Sequence, residues 1–231
     1  MLELRRNFHE RLGILEDEVL GMGQRVLRML ADAMDALEGR GHEHARAVID
    51  ADDAVDATYR AVQEGALTTL ALQAPVASEL RLVSALIHVS IHLERVGDLC
   101  VSIARIALRS GQPTLDADVA ARLAEMGTRA RRALERCLHS FARRDVALAR
   151  ELRELGGPLA RLNQGLLERL ARLTCEMAET DEEQLGWAFN MVLVARCLER
   201  IGDHAVDIGQ QAVFCVTGAV GTQAARGRSS P

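Results

Sequence analysis

The sequence predicts an all-α fold of two tandem three-helix bundles, six long helices in all, and three observations carry that prediction. Apolar residues recur at helical spacing over segments of about 30 residues. Only four prolines occur, each where a helix could begin or a linker could lie, and strand-like alternation of β-branched residues is missing. A six-residue motif near the middle of the chain also returns near its end.

Each element has its own signal. Phe8, Leu15, Met22 and Met29 recur every seven residues, and Leu12, Val19, Val26 and Ala33 form a second row. That is one long amphipathic helix, closed by Gly39-Arg40-Gly41. A second helix spans His42 to Leu72, and Pro75 resets the chain. The third begins at or just after Pro75, where a missing N–H costs nothing. It continues to Arg109, before Ser110-Gly111-Gln112-Pro113. In the second half, Val119, Met126 and Ala133 with Leu123, Ala130 and Cys137 rebuild the stripe in a helix ending near Arg143. The fifth helix covers Val146 to Cys175, with Leu152, Leu155, Leu159, Leu162 and Leu166 on its apolar side. Pro158, after Gly156-Gly157, predicts a kink or a late start there. Thr180-Asp181-Glu182-Glu183 reads as the capping box of the sixth helix, and Gly218 as its end. The repeats are therefore expected over residues 1–110 and 114–218, with a disordered tail over 219–231.

Two matches establish the duplication. Leu93-Glu94-Arg95-Val96-Gly97-Asp98 returns as Leu198-Glu199-Arg200-Ile201-Gly202-Asp203, an offset of 105 residues (94 to 199). Met22-Gly23 returns as Met126-Gly127, an offset of 104 (22 to 126). Two matches at nearly one offset indicate internal repetition. Long helices joined by short loops make antiparallel bundles, which are expected to lie end to end.

Composition excludes several classes. All 28 basic residues are arginine, so there is no P-loop, Schiff-base or kinase-type lysine. A net charge of -5 and 3% aromatics argue against nucleic acid, which needs a basic face and stacking rings. The apolar runs are too short for a membrane span, and Met1–Glu10 lacks a signal-peptide core, so a cytoplasmic location is expected. The five scattered cysteines, with no Cys-x-x-Cys pair, read as small hydrophobes inside helices. The overall expectation is binding rather than catalysis.

The chemistry lies in the repeated motif. Glu94 and Asp98 are four residues apart and share a helix face, as do Glu199 and Asp203, with Asp207 one turn further. Like charges at that spacing destabilise a helix by roughly 0.2–0.5 kcal/mol. A helical glycine, here Gly97 or Gly202, costs about 1 kcal/mol relative to alanine. Two penalties kept in both copies imply a compensating interaction, which a hard cation bridging the carboxylates would supply. Asp52 and Asp56 form a further acidic pair in the second helix, beside Asp53 and followed by Glu64. Two such pairs on adjacent helices can wrap a multinuclear oxygen-ligated site. Acidic pairs are also common on solvated faces, and Arg95 and Arg200 stand ready to balance them. The absence of any Glu-x-x-His pair weighs against a di-iron carboxylate enzyme. A metal-free helical adaptor is the remaining alternative.

The histidines offer less. His88 and His92 are four apart, but no third nitrogen or carboxylate shares their face at zinc-site spacing. His42-Glu43-His44 lacks the second histidine of a zincin motif, and His204 points off the Glu199–Asp203 face. Trp187 reads as a core or interface residue of the last helix.

Several segments together resemble the PhoU family, the phosphate-specific transport system accessory proteins. They are Phe8-His9-Glu10, Val48-Ile49 with Asp52-Asp53 and Asp56, Leu70 to Ala77 (LALQAPVA), both Glu-Arg-x-Gly-Asp motifs and Val213 to Gly218. The resemblance spans the chain except the tail. It implies two three-helix bundles carrying multinuclear iron or zinc clusters on acidic motifs, a cytoplasmic or membrane-peripheral location, and a homodimer. It also implies a negative regulator of the phosphate regulon that links the phosphate ABC transporter, through its ATPase subunit, to the sensor histidine kinase. Carried over by position, the metal ligands are Asp52, Asp56, Glu94 and Asp98 in the first repeat and Glu199, Asp203 and Asp207 in the second. Ser102 stands where the family commonly has asparagine. The positions matching Asp52 and Asp56 hold Gly156 and Ala160, so the second site is expected to be weakened.

Overall fold

A computed structural model describes residues 2–73, 76–109, 116–176 and 182–219, and among them every regular element is helical. In chain order these are α1 (Leu2–Leu37), α2 (His42–Gln73), α3 (Ala77–Arg109), α4 (Ala117–Arg143), α5 (Val146–Glu151), α6 (Arg153–Glu176) and α7 (Glu182–Thr217). The first three make one bundle; the other four make the second, in which α5 and α6 together stand where one helix was expected. The Thr180–Glu183 capping box falls partly outside the described residues, as do Pro75 and the tail from residue 220.

Both predicted stripes become core. Phe8, Leu12, Leu15, Val19, Met22, Val26, Met29 and Ala33 are all buried, and so are Val119, Leu123, Met126, Ala130, Ala133 and Cys137. The helix ends follow local chemistry. Gly39, at φ 79°, and Gly218, at φ 72°, take the left-handed conformation that ends a helix. Gly218 donates its N–H to the Phe214 carbonyl at 2.9 Å. Asp116 caps α4 by accepting from the amides of Asp118 and Val119 at 3.0 and 3.1 Å.

The predicted fifth helix is interrupted at Leu152 rather than at Pro158, which lies inside α6. Tertiary packing decides this. Leu152 is fully buried, and a Cβ on Gly209 of α7 would come within 2.6 Å of its Cδ1. Leu152 keeps right-handed helical dihedrals, φ -59° and ψ -30°, so the interruption is confined to one residue whose side chain packs on α7. Pro158 removes only the amide that would reach the Glu154 carbonyl, and the helix continues past it.

The repeats do not lie end to end; they pack side by side and antiparallel around one continuous hydrophobic core. Along α3 and α7, Arg81 donates to the Cys215 carbonyl at 3.3 Å, His92 meets His204, and Cys100 lies near Cys197. Along α1 and α4 the contacts run from Glu16–Arg144 through Gly23–Leu138 to Met34–Gly127. A Cβ on Gly23 would stand 2.5 Å from Leu138 Cδ2, and one on Gly127 would stand 2.7 Å from Met34 Cε. Leu138 is the repeat partner of Met34 (offset 104) and Gly127 of Gly23, so one contact is made twice about a pseudo-twofold axis. Each bundle offers apolar surface on α1 or α4 and on α3 or α7, and side-by-side packing buries both strips.

Cys100 and Cys137 are buried, as expected, and burial pushes both thiols up. Cys175 departs from that expectation: near the C-terminal end of α6 it is exposed. Trp187 is half-buried against the core on α7, in keeping with its reading.

The motif glycines have unequal roles. A Cβ on Gly202 would lie 2.5 Å from Cδ1 of buried Leu159, whereas one on Gly97 would meet Val55 at 3.4 Å, ordinary contact. Gly97→Ala is therefore expected to be neutral or to stabilise by up to about 1 kcal/mol, the helix-propensity gain. Gly202→Ala is expected to destabilise by about 1 kcal/mol, because overpacking outweighs that gain. Denaturant midpoints at unchanged slope would separate the two signs.

Candidate functional site

Asp52 and Asp56 stand one turn apart on α2, and Glu94 and Asp98 stand one turn apart on α3. Buried Val55 and Gly97 hold the two helices together between the pairs. Gly97 faces this pair closely: a Cβ there would be 3.5 Å from Asp52 Oδ1, an ordinary contact that leaves the carboxylates where they are. The four groups act on one another electrostatically. Burial raises the Asp52 carboxyl, and the charges of Asp56 and Asp98 raise it further, against Arg105. Burial likewise raises Glu94, followed by the charge of Asp98, with Arg95 opposing and Asp56 and Asp52 adding to the rise. Arg95 spans the α3 pair at 3.4 Å from Glu94 and 3.6 Å from Asp98, ion-pair distances rather than tight hydrogen bonds.

This donor set suits a hard cation. It offers four carboxylates against two arginines, Arg95 and Arg105, and burial and like charge still raise two of its members. The four are more dispersed than the ligands of a single ion, since no three of them bring oxygens within 4.8 Å of one another. Ser102 adds little, because its hydroxyl donates to the Asp98 carbonyl at 3.0 Å. Asp53 and Glu64 are exposed on α2.

The second repeat arranges its acids differently. Glu199 is tied up, accepting from Asn163 Nδ2 at 2.8 Å and from Arg196 at 2.5 Å. Asp203 is exposed. Asp207 turns away from both, accepting from Gln210 at 3.4 Å and lying 3.9 Å from His92 Nδ1 on α3. Glu199, Asp203 and Asp207 thus share a row on α7 without forming one cluster.

Three features escaped sequence reading. Arg105 opposes the rise at Asp52, and its i+7 spacing from Asp98 was the available signal. Asn163 falls opposite Tyr59 at the repeat offset of 104, so the repeat placed no amide or carboxylate there to point to it. The expectation that no third group joins His92 is overturned: His204 and Asp207, from the other repeat, converge on it. His204 does point off the Glu199–Asp203 face, toward α3.

The PhoU domain family model matches twice, over residues 19–107 and 123–212. The chain is 29% identical over 210 residues to the phosphate-specific transport system accessory protein PhoU homolog 1 of Methanothermobacter thermautotrophicus, covering 91% of this chain and 94% of that one. A PhoU homolog 1 from Thermotoga maritima is 27% identical over 92% of this chain and 90% of its own length. The crystal structure of PhoU from Pseudomonas aeruginosa superposes with a TM-score of 0.85 at 28% identity, covering 92% of this chain and all of that one. That of the phosphate transport system regulatory protein PhoU from Streptococcus pneumoniae gives 0.81 at 25% identity, covering 93% and 99%.

Proposed function

The chain belongs to the PhoU family, and from that membership we propose that it is an accessory protein of phosphate transport and a negative regulator of phosphate uptake and the phosphate regulon. In this reading it acts as a metal-binding adaptor in the cytoplasm. It links the ATPase subunit of the phosphate ABC transporter to the sensor histidine kinase, works as a homodimer, and reaches the membrane only through those partners. Among the described residues no helix is long and apolar enough to cross a membrane.

The observation that carries the reading is the mutual approach of Asp52, Asp56, Glu94 and Asp98, with burial and like charge raising Asp52 and Glu94. Such a group is unfavourable in isolation and becomes favourable when a cation joins it. Iron or zinc held by these four residues, as a multinuclear cluster, would supply that positive charge. The acidic, metal-loaded α2–α3 face would then meet phosphate or a basic partner surface. The second repeat would hold metal weakly, since Asn163 and Arg196 already engage Glu199.

Elemental analysis of purified, unchelated protein tests this. Iron or zinc should accompany the wild type and be lost from an Asp52→Asn/Asp98→Asn variant that stays folded. Stripped of metal, the same variant should be more thermostable than the parent, because it relieves repulsion that Arg95 and Arg105 only partly offset. Metal at background level in the wild type would leave a helical adaptor whose acids are balanced by arginine.

A further inference from the structure

We propose that His92, His204 and Asp207 form a zinc-type site between the two repeats, separate from the four carboxylates of α2 and α3 and built on two nitrogen donors and one carboxylate. The three residues come from two helices of different bundles. His92 on α3 and His204 on α7 turn their Nδ1 atoms toward each other at 3.1 Å, and Asp207 Oδ2 lies 3.9 Å from His92 Nδ1. All three donor atoms fall within 4.8 Å of one another. Tetrahedral zinc with bonds of about 2.0–2.1 Å separates its ligands by roughly 3.3 Å, so small side-chain adjustments would complete the tripod. The imidazoles are tilted by 52° with centroids 5.3 Å apart, so edges rather than faces meet and the nitrogens can converge on one point.

The carboxylate is already oriented. Gln210 donates to Asp207 Oδ1, which leaves Oδ2 facing His92 and supplies the outer support that metal-binding carboxylates commonly have. Access is open on one side, because the Asp207 side chain is 46% exposed and that of His92 21%. A water would take the fourth position.

The surrounding charge selects the metal. Arg95 and Arg200 act on His204, so the site does not attract cations by negative potential alone, as four carboxylates do. Binding must come from coordination to imidazole nitrogen. That favours zinc, nickel or copper over magnesium or calcium. The consequence follows from connectivity: a metal here joins α3 of one repeat to α7 of the other.

The test uses the metal-stripped full chain, zinc chloride and magnesium chloride as probes, and three variants. In the Asp52→Asn/Asp98→Asn variant, which lacks the acidic site of the first repeat, one zinc per chain should still bind. Zinc, but not magnesium, should raise the thermal midpoint. His92→Gln and His204→Gln should each lose that zinc and the shift in midpoint. Asp207→Asn, a nearly isosteric change at a half-buried position, should bind zinc at least tenfold more weakly. Cobalt substituted for zinc should give ligand-field bands of a tetrahedral nitrogen–oxygen site that vanish in the His92→Gln protein. The proposal is overturned if the Asp52→Asn/Asp98→Asn protein takes up no zinc, or if zinc binds the folded His92→Gln and Asp207→Asn variants as it binds the parent. Loss of iron from the acidic face in Asp52→Asn/Asp98→Asn leaves this site unaffected, so the two metal readings fail separately.

Discussion

Phe141→Ala is expected to destabilise the protein by about 3–5 kcal/mol, the range for removing a fully buried aromatic ring. Phe141 is fully buried at the end of α4 and does more than fill space. Its ring supports the Arg144 guanidinium, 4.8 Å from the centroid, and its carbonyl accepts from Arg144 Nη1 at 2.6 Å. Held in this way, Arg144 reaches across the repeat boundary to Glu16 of α1 at 2.8 Å. Truncation therefore opens a cavity and removes the ring beneath Arg144, while the backbone carbonyl that holds Nη1 remains. For a chain of this size each kcal/mol moves the thermal midpoint by roughly 2–4 °C, so a fall of roughly 6–20 °C should appear in calorimetry. Glu16→Gln removes the ion pair but keeps the ring, and should cost no more than about 1 kcal/mol, as a partly exposed pair does. Equal losses from the two substitutions would show that the ring is not the anchor.

Acidification should weaken the metal-free protein through His204. Burial, then the neighbouring His92, Arg200 and Arg95, lower its pKa from 6.5 to about 4. Burial also lowers His92, against the charge of Asp207, and His88 lowers it further. The sign follows from proton counting. Between pH 6.5 and about 4 the unfolded chain binds the His204 proton and the folded chain does not, so stability falls as pH falls through that window. A displacement of this size corresponds to about 3 kcal/mol for a fully shielded group. Partial solvent access brings the expected loss to about 1–2 kcal/mol. Asp52 and Glu94, raised in the folded state, act in the opposite sense: their repulsion is relieved as pH falls toward the carboxylate range. Chelated His204→Gln protein should therefore lose less stability than the parent between pH 6.5 and 4.5 in urea titrations. An unchanged pH slope in that variant would refute the assignment.

Much of this protein is written in its sequence. Periodicity at three and four residues fixes which side of α1 and α4 is buried, and Phe8, Met22, Val119 and Met126 are all in the core as that rule requires. Gly39 and Gly218 end helices for a local reason, since a backbone with positive φ favours glycine wherever the fold places it. The acidic pairs were legible too, because i, i+4 spacing puts carboxylates on one face whatever the neighbouring helix does.

Tertiary structure alone decided the rest, and in each case the reason is contact between residues far apart in the chain. Periodicity describes a helix face but not its partner, so it could not choose side-by-side packing over stacking, nor predict that Gly23 and Gly127 serve one interface twice. It located Pro158 but not the break at Leu152, which follows from how that side chain seats against Gly209 of α7. His92 finds His204 112 residues away. The repeats had to fold against each other before that pair, and Asp207 beside it, existed as a site.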